Sequence, residues 1–530
     1  MHGIFSFIIS IFAIIGDSAV NIMPLCKKEI LVLLLKFEIY FTCIFSITSI
    51  LINFINIHTK SIKKNKNIKF LGSNKKSFIL LTIIIFASYI PYLLNYFPGN
   101  VLIDSVVQIL QGQGALELTN HHPLLHTMII TACINIGKQL FNSYQIGAFI
   151  YTLIQTVITS LVFSFSIYYM AKKCVPLWIR VFSILFYMFC PTISFYTITM
   201  YKDIPFSLSI LLLTIGIIEL VTNTSEFLKS KTKIISLMII IALCMFFRNN
   251  GVYVIILLII PLIVCLRRYY KKILVIFLIP IIFYEIITGP IYSLLNIKQG
   301  SSREALSIPL QQFARLMVYE KDSLTEVQKN KIQLYLPIEN FGETYDPVFS
   351  DPVKSHFSEE GFEQDKFGFI KLYFELACKY PLDTIESFIQ GSYGYYYPNV
   401  VGWGIYTGVS TDEFHGNEEY AFEQNSIVEI EILDEINNFV NTRNVLIISM
   451  FISIGFLFWI LLFFITIIIY KKEYRKIVAF FPVLFVWLTA LASPVFCESR
   501  YVYSIFTCLP LLLGILTFKT IQSNNKDKNV

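Results

Sequence analysis

Apolar runs about as long as a bilayer core requires of a helix, roughly 20 residues each, recur along this 530-residue chain between short polar stretches. In lipid every backbone polar group must be paired within its own segment, so each run predicts a helix. Twelve spans follow, at about 4–23, 30–57, 78–96, 144–170, 177–197, 205–222, 233–247, 251–266, 273–290, 444–470, 477–494 and 501–518. Two long stretches interrupt the pattern, Pro98 to Ser143 and Ile291 to Asn441. The expectation is an all-α polytopic membrane protein with a mixed extracellular domain inserted before its last three helices.

Positive charge orients the spans. Lysines 60, 63, 64, 66, 69, 75 and 76 crowd the loop before the third run, which the positive-inside rule puts in the cytoplasm. The later basic loops at Lys172 and Lys173, at Lys229 to Lys233, at Arg267 to Lys272 and at Lys471 to Lys476 fall on the same side only if Leu124 to Leu140 does not cross. That run is interrupted by His126 and, near its end, by Gly137 and Lys138, and is read as a juxtamembrane or re-entrant helix on the outer face. The first run is preceded by no basic residue and followed by Asp17 rather than a cleavage site, so it reads as a retained helix. Residues 1–76 then form two helices and a basic loop, 77–290 a membrane core with a large outer loop at 98–143, and 442–530 the closing helices and a polar tail.

Composition sharpens this. The chain is 55% hydrophobic and 15% charged, far more apolar than one soluble core could bury. Ten cysteines lie mostly in or beside apolar runs without CxxC spacing, which excludes a disulfide framework and a cysteine zinc site. The insert 291–441 holds 24 acids against 10 bases, so it is an acidic extracellular domain on an otherwise basic protein. Nothing points to nucleic acid.

Under this topology four polar clusters reach one face. Asp104 follows the third span, and His121, His122 and Pro123 close its loop. Tyr201, Lys202 and Asp203 precede a span, Arg248 to Asn250 turn between two short ones, and Glu498, Ser499 and Arg500 precede the last. Apolar neighbours of Asp104 (Val101, Leu102, Ile103, Val106, Val107) predict partial burial, which would raise its pKa toward that of a useful base. A solvated loop acid is the alternative. Asp203 reads either as a helix N-cap before Pro205 or as a second catalytic carboxylate. Arg248 reads as an interfacial snorkel or a phosphate ligand, Arg500 as a partner of Glu498 or a phosphate ligand, and the histidines as a cap for the next helix or as phosphate ligands. Two adjacent histidines without a third spaced ligand define no metal site, although a divalent cation stays open. Tyr393 to Tyr406 reads as aromatic packing within the insert or as a platform for sugar rings.

An outer-loop acid soon after a hydrophobic helix, a His-Pro opening a juxtamembrane helix and a second Asp about a hundred residues later resemble the GT-C superfamily of polyprenyl-phosphate-dependent glycosyltransferases. Protein O-mannosyltransferases and lipid A aminoarabinose transferases belong to it. The elements HHP, KD, FRNNG, EALSIPLQQFAR (Glu304 to Arg315) and ESRY also resemble uncharacterised membrane proteins of Gram-positive bacteria placed near that superfamily. The resemblance spans about 78–518, and departs where the transferases read HPP and this chain has Leu124.

It implies a cell-membrane enzyme, active on the outer face, that moves a sugar from a polyprenyl-phosphate donor to a glycan, lipid or protein acceptor. Asp104 would take the acceptor proton, Asp203 would assist, and Lys202, Arg248, Arg500 and His122 would hold the donor phosphate. A single displacement is expected, since no nucleophile pair is visible. A transporter or flippase of lipid-linked saccharides, or a non-catalytic membrane-anchored binding protein, are the rival readings. A transporter should carry broken polar helices at the midplane and often an internal repeat, and no such repeat is present.

Overall fold

The computed structural model describes residues 2–21, 27–61, 74–400, 402, 404–443 and 449–518. Most of the basic loop before the third run (Lys63, Lys64, Lys66 and Lys69) and the polar tail lie outside them. The described residues are helical, with no strand and only isolated bridges such as Asn100 to Thr199 and Val101 to Val409. Among the described residues eight helices are long and apolar enough to cross a membrane, and a bent pair makes a ninth. Three shorter apolar helices, Gly251–Cys265, Ile454–Tyr470 and Ser499–Ile515, accompany them.

Helices α1 (His2–Asn21) and α2 (Lys27–Ser61) form a hairpin joined by an Asp17–Lys36 ion pair. Helix α3 (Lys75–Asn95) starts on an Asn74 cap and leads into α4 (Ile103–Gln113), which carries Asp104 in its first turn. Then come α5 (Leu124–Phe141) and α6 (Tyr144–Lys172). By length and composition α5 could also cross a membrane, and it packs along α6. Gly137 lies so close to Gly147 that a Cβ there would come within 2.2 Å of the backbone, while His126 touches Tyr151.

Helices α7 (Leu177–Phe189) and α8 (Pro191–Thr197) meet at a 55° bend, where Pro191 interrupts the backbone hydrogen bonding. Helix α9 (Asp203–Thr222) is apolar and buried on nearly every side, as expected of the central rod of a bundle. After the turn α10 (Thr224–Phe227), α11 (Lys231–Phe247) packs on α9, and α12 (Gly251–Cys265) and α13 (Tyr270–Ile286) pack on α11 and on each other.

The acidic insert corrects the expectation of mixed structure. Its first part is a helical cap with its own core, in which Leu310, Phe313, Ile332, Tyr335, Phe369 and Leu376 meet. Its second part returns to the bundle. Trp459 and Trp487 donate their indole protons to the carbonyls of Tyr396 and Tyr395, and the Tyr395 hydroxyl donates to Val495. These carbonyls are thus taken by side chains and not by a neighbouring strand. The tyrosines pack against the bundle core, where packing within the insert was one expectation. A strap beyond them clamps the entry to α4: Val101 N–H donates to Gly408, and Ser410 N–H to Val101.

Candidate active site

The polar clusters at the ends of the apolar runs meet in one place. Asp104 stands on the first turn of α4, 23% exposed at its side chain, and its Oδ2 accepts from Lys202 Nζ at 3.3 Å and Arg500 Nη1 at 3.0 Å. Lys202, just before α9, also donates to His122 Nδ1 at 2.8 Å. An ammonium has only protons to give, so Nδ1 accepts and the imidazole proton sits on Nε2. Asp203, fully buried, takes Arg248 Nη1 on its Oδ1 at 2.5 Å. All six candidates, Asp104, Asp203, Lys202, Arg248, Arg500 and His122, belong to this one cluster.

Aromatic rings hold the guanidiniums. Arg500 lies over Tyr201 at 4.6 Å and over Tyr501 at 5.0 Å, and Arg248 lies over Tyr501 at 4.6 Å. A desolvated cation over a tyrosine face is stabilised by roughly 2 kcal/mol. Below the ring, His126 bridges Gln108 (2.7 Å) and Tyr151 (2.6 Å), and Gln155 donates to the carbonyls of Thr197 and Thr199. Ser105 donates to the Met200 carbonyl at 2.6 Å. These bonds fix the start of α4 against the segment that carries Lys202.

The geometry decides three local pairings. Asp203 is the first residue of α9, not its cap, and no side-chain cap bond closes that helix; its carboxylate is committed to Arg248. His122 does not cap α5, whose cap position is Pro123. Arg500 serves Asp104 more closely than Glu498, which is 4.0 Å from its Nε.

The electrostatics reverse one expectation. Burial does push the Asp104 carboxyl upward, but Lys202 and then Arg500 outweigh it and hold the group far below the usual carboxylate range. Asp104 is therefore ionised throughout the physiological range. Burial and Lys202 push His122 down to about 2, so its imidazole is neutral and can offer a phosphate only one N–H. Burial, partly offset by Arg500, raises the Glu498 carboxyl. The ring also holds orphaned polar atoms: Asp203 Oδ2 and Arg500 Nε are buried without a hydrogen-bond partner. Among the described residues no three His, Cys, Asp or Glu converge, so the site offers no protein-only cage for a divalent cation.

Sequence reasoning missed Tyr501 and the His126, Tyr151 and Gln155 network. Gln155, polar in the middle of an apolar run, was the available signal. Glu304 pairs with Lys354 (3.0 Å) and Arg315 with Glu386 (2.7 Å); both belong to the cap and not to the ring.

The fold and the ring define a helical bundle with apolar, membrane-length helices and a charged site at one end. Residues 110–529 match the model of a family of unknown function (DUF6020), and the chain belongs to that family. The matched residues include His122, Lys202, Asp203, Arg248 and Arg500, and begin six positions after Asp104. No curated protein and no solved structure matches.

Proposed function

We propose that this protein is a multi-pass membrane glycosyltransferase of GT-C type, which transfers a sugar from a polyprenyl-phosphate carrier to an acceptor hydroxyl or amine at the extracellular face. The observation that carries this reading is the sharing of one carboxylate oxygen, Asp104 Oδ2, between Lys202 and Arg500 at the end of an apolar bundle. A base and phosphate-binding cations in direct contact are what such a transfer needs.

Asp104 takes the acceptor's proton while the acceptor oxygen or nitrogen bonds to the anomeric carbon. The bond from that carbon to the phosphate oxygen breaks, and the polyprenyl phosphate leaves with the electron pair. In the resting arrangement Lys202 and Arg500 make Asp104 a poor proton acceptor. A donor phosphate gives both cations a second anion. As negative charge grows on the leaving group they shift toward it, and the proton affinity of Asp104 rises in the same movement. Arg248, pinned by Asp203 and by the Tyr501 carbonyl at 3.4 Å, keeps a third cation at the rim.

The test is release of free polyprenyl phosphate by purified protein in liposomes, from a panel of polyprenyl-phosphate sugars with acceptors, with divalent cation or chelator present. Release by the wild type is expected. Folded protein that consumes no donor across the panel counts against transfer, and transport of lipid-linked saccharides then becomes the next assay.

A further inference from the structure

The cap helix Lys366–Lys379 is apolar on two faces. Phe369, Leu372 and Leu376 fill the cap core. On the other side Phe367 and Phe374 stand 77% and 61% exposed, with Ile370 between them, and the next helix, Pro381–Ser392, adds Leu382 (74%) and Ile385 (55%). Single exposed apolar residues are ordinary, whereas five large ones on adjoining helices mark an interaction surface.

Two observations say what covers it. The first is continuity with the bundle. One turn beyond Ile385, Ile389 packs on the bundle core, and Gln390 donates to the carbonyl of Ala19 in the last turn of α1, a candidate span. The patch therefore starts at a membrane-facing helix end. The second is charge. The insert as a whole is acidic, yet Lys366–Lys379 holds Lys366, Lys371 and Lys379 against the single acid Glu375, which Gln328 engages. Lys366 is paired with Glu363, and Lys379 donates to the Ser323 carbonyl at 3.2 Å, which leaves Lys371 beside the exposed apolar residues. Bulky apolar side chains edged by lysine are the pattern of a helix lying in the interface of an anionic bilayer.

We propose that the cap rests on the membrane its own bundle spans, with Phe367, Ile370, Phe374, Leu382 and Ile385 in the headgroup region and Lys371 against anionic lipid. This inference needs the bundle to be inserted in a bilayer and does not depend on the transferase reading. It gives the cap a third support besides the Ser493 hydroxyl, which donates to the Glu304 carbonyl at 2.7 Å, and the contact with α1.

Cys378 lies on the exposed face and is a native reporter. In full-length protein whose other reactive thiols are serine, an environment-sensitive fluorophore on Cys378 is read in vesicles with and without brominated lipid. The same probe at Val20→Cys, exposed beside the Gln390 contact, is the positive control. Quenching of roughly twofold or more is expected in vesicles containing phosphatidylglycerol, weaker in purely zwitterionic lipid or after Lys371→Glu. An unquenched probe at Cys378 with a quenched probe at Val20→Cys overturns the proposal. So does shielding that follows protein density instead of lipid composition, which assigns the face to a second copy.

Discussion

Helix α9 carries an acid near each end, and the two are built differently. Glu219 lies sixteen residues beyond Asp203, roughly 24 Å along the helix. It pairs with Lys173, has Lys233 at 4.0 Å, and accepts from Tyr169 at 3.0 Å and Asn223 at 3.2 Å. Both of its oxygens are engaged by partners on neighbouring turns and helix ends. At the other end Asp203 has one oxygen on Arg248 and one with no hydrogen bond, beside an Arg500 whose Nε also makes no hydrogen bond. A bundle can therefore satisfy a carboxylate at its end completely, and here does so at only one end. Buried polar atoms left unpaired are costly, about 1–3 kcal/mol each.

The largest effect expected from breaking this contrast is on the fold itself. Arg248→Gln leaves Asp203 buried without its cation and should destabilise the protein by about 3–5 kcal/mol, read as a fall in the thermal unfolding midpoint in detergent. Adding Asp203→Asn should recover most of that loss. A double variant as unstable as Arg248→Gln alone would show that Arg248 matters through packing and not through charge.

Tyr501→Leu removes the ring shared by Arg248 and Arg500. A loss of about 1–2 kcal/mol is expected, with Tyr501→Phe close to the wild type because the π face remains. Equal losses in the two variants would shift the weight from the ring to the hydroxyl.

The third effect is a pH dependence. His122 is held neutral down to about 2, whereas in the unfolded chain it takes a proton near 6.5. The unfolded state binds more protons between those values, so stability falls as pH drops through that window, by up to about 1.4 kcal/mol per unit. His122→Asn should flatten the decline in unfolding midpoint between pH 6.5 and 5. Asp104 contributes nothing there. Its depressed carboxyl adds stability that is fully present above the unfolded value near 4 and is lost only below it. An unchanged slope in His122→Asn would place the titration elsewhere.

Glu219→Gln should be mildest, at most about 1 kcal/mol, because Lys173 and Lys233 reach water and the amide keeps part of the hydrogen bonding. A collapse of the fold on this change would erase the distinction between the two ends.

Much of this was legible in the chain because a bilayer imposes a length on apolar runs and a side on basic loops. Those rules put Asp104, Lys202, Asp203, Arg248 and Arg500 on one expected side, and the structure brings them into one cluster. What stayed hidden depended on meetings that no local pattern encodes. Apolar neighbours of Asp104 announced burial, so its pKa was expected to rise. The cations that reverse it come from 98 and 396 positions away. Tyr501 looked like one of many interfacial aromatics until two guanidiniums were found against it. The aromatic segment after Gly391 has turn chemistry that says nothing about which carbonyls the indoles of Trp459 and Trp487 will claim.

The central claim is that the incompletely satisfied end of the bundle performs chemistry and the satisfied end supports structure. The most direct test compares wild type, Asp104→Asn and Glu219→Gln in the same liposomes, following release of polyprenyl phosphate from the donor that the wild type consumes. The account predicts a loss of roughly 10²–10⁴-fold for Asp104→Asn, the range of a general base, and near wild-type release for Glu219→Gln. Equal activity of a folded Asp104→Asn protein would contradict it.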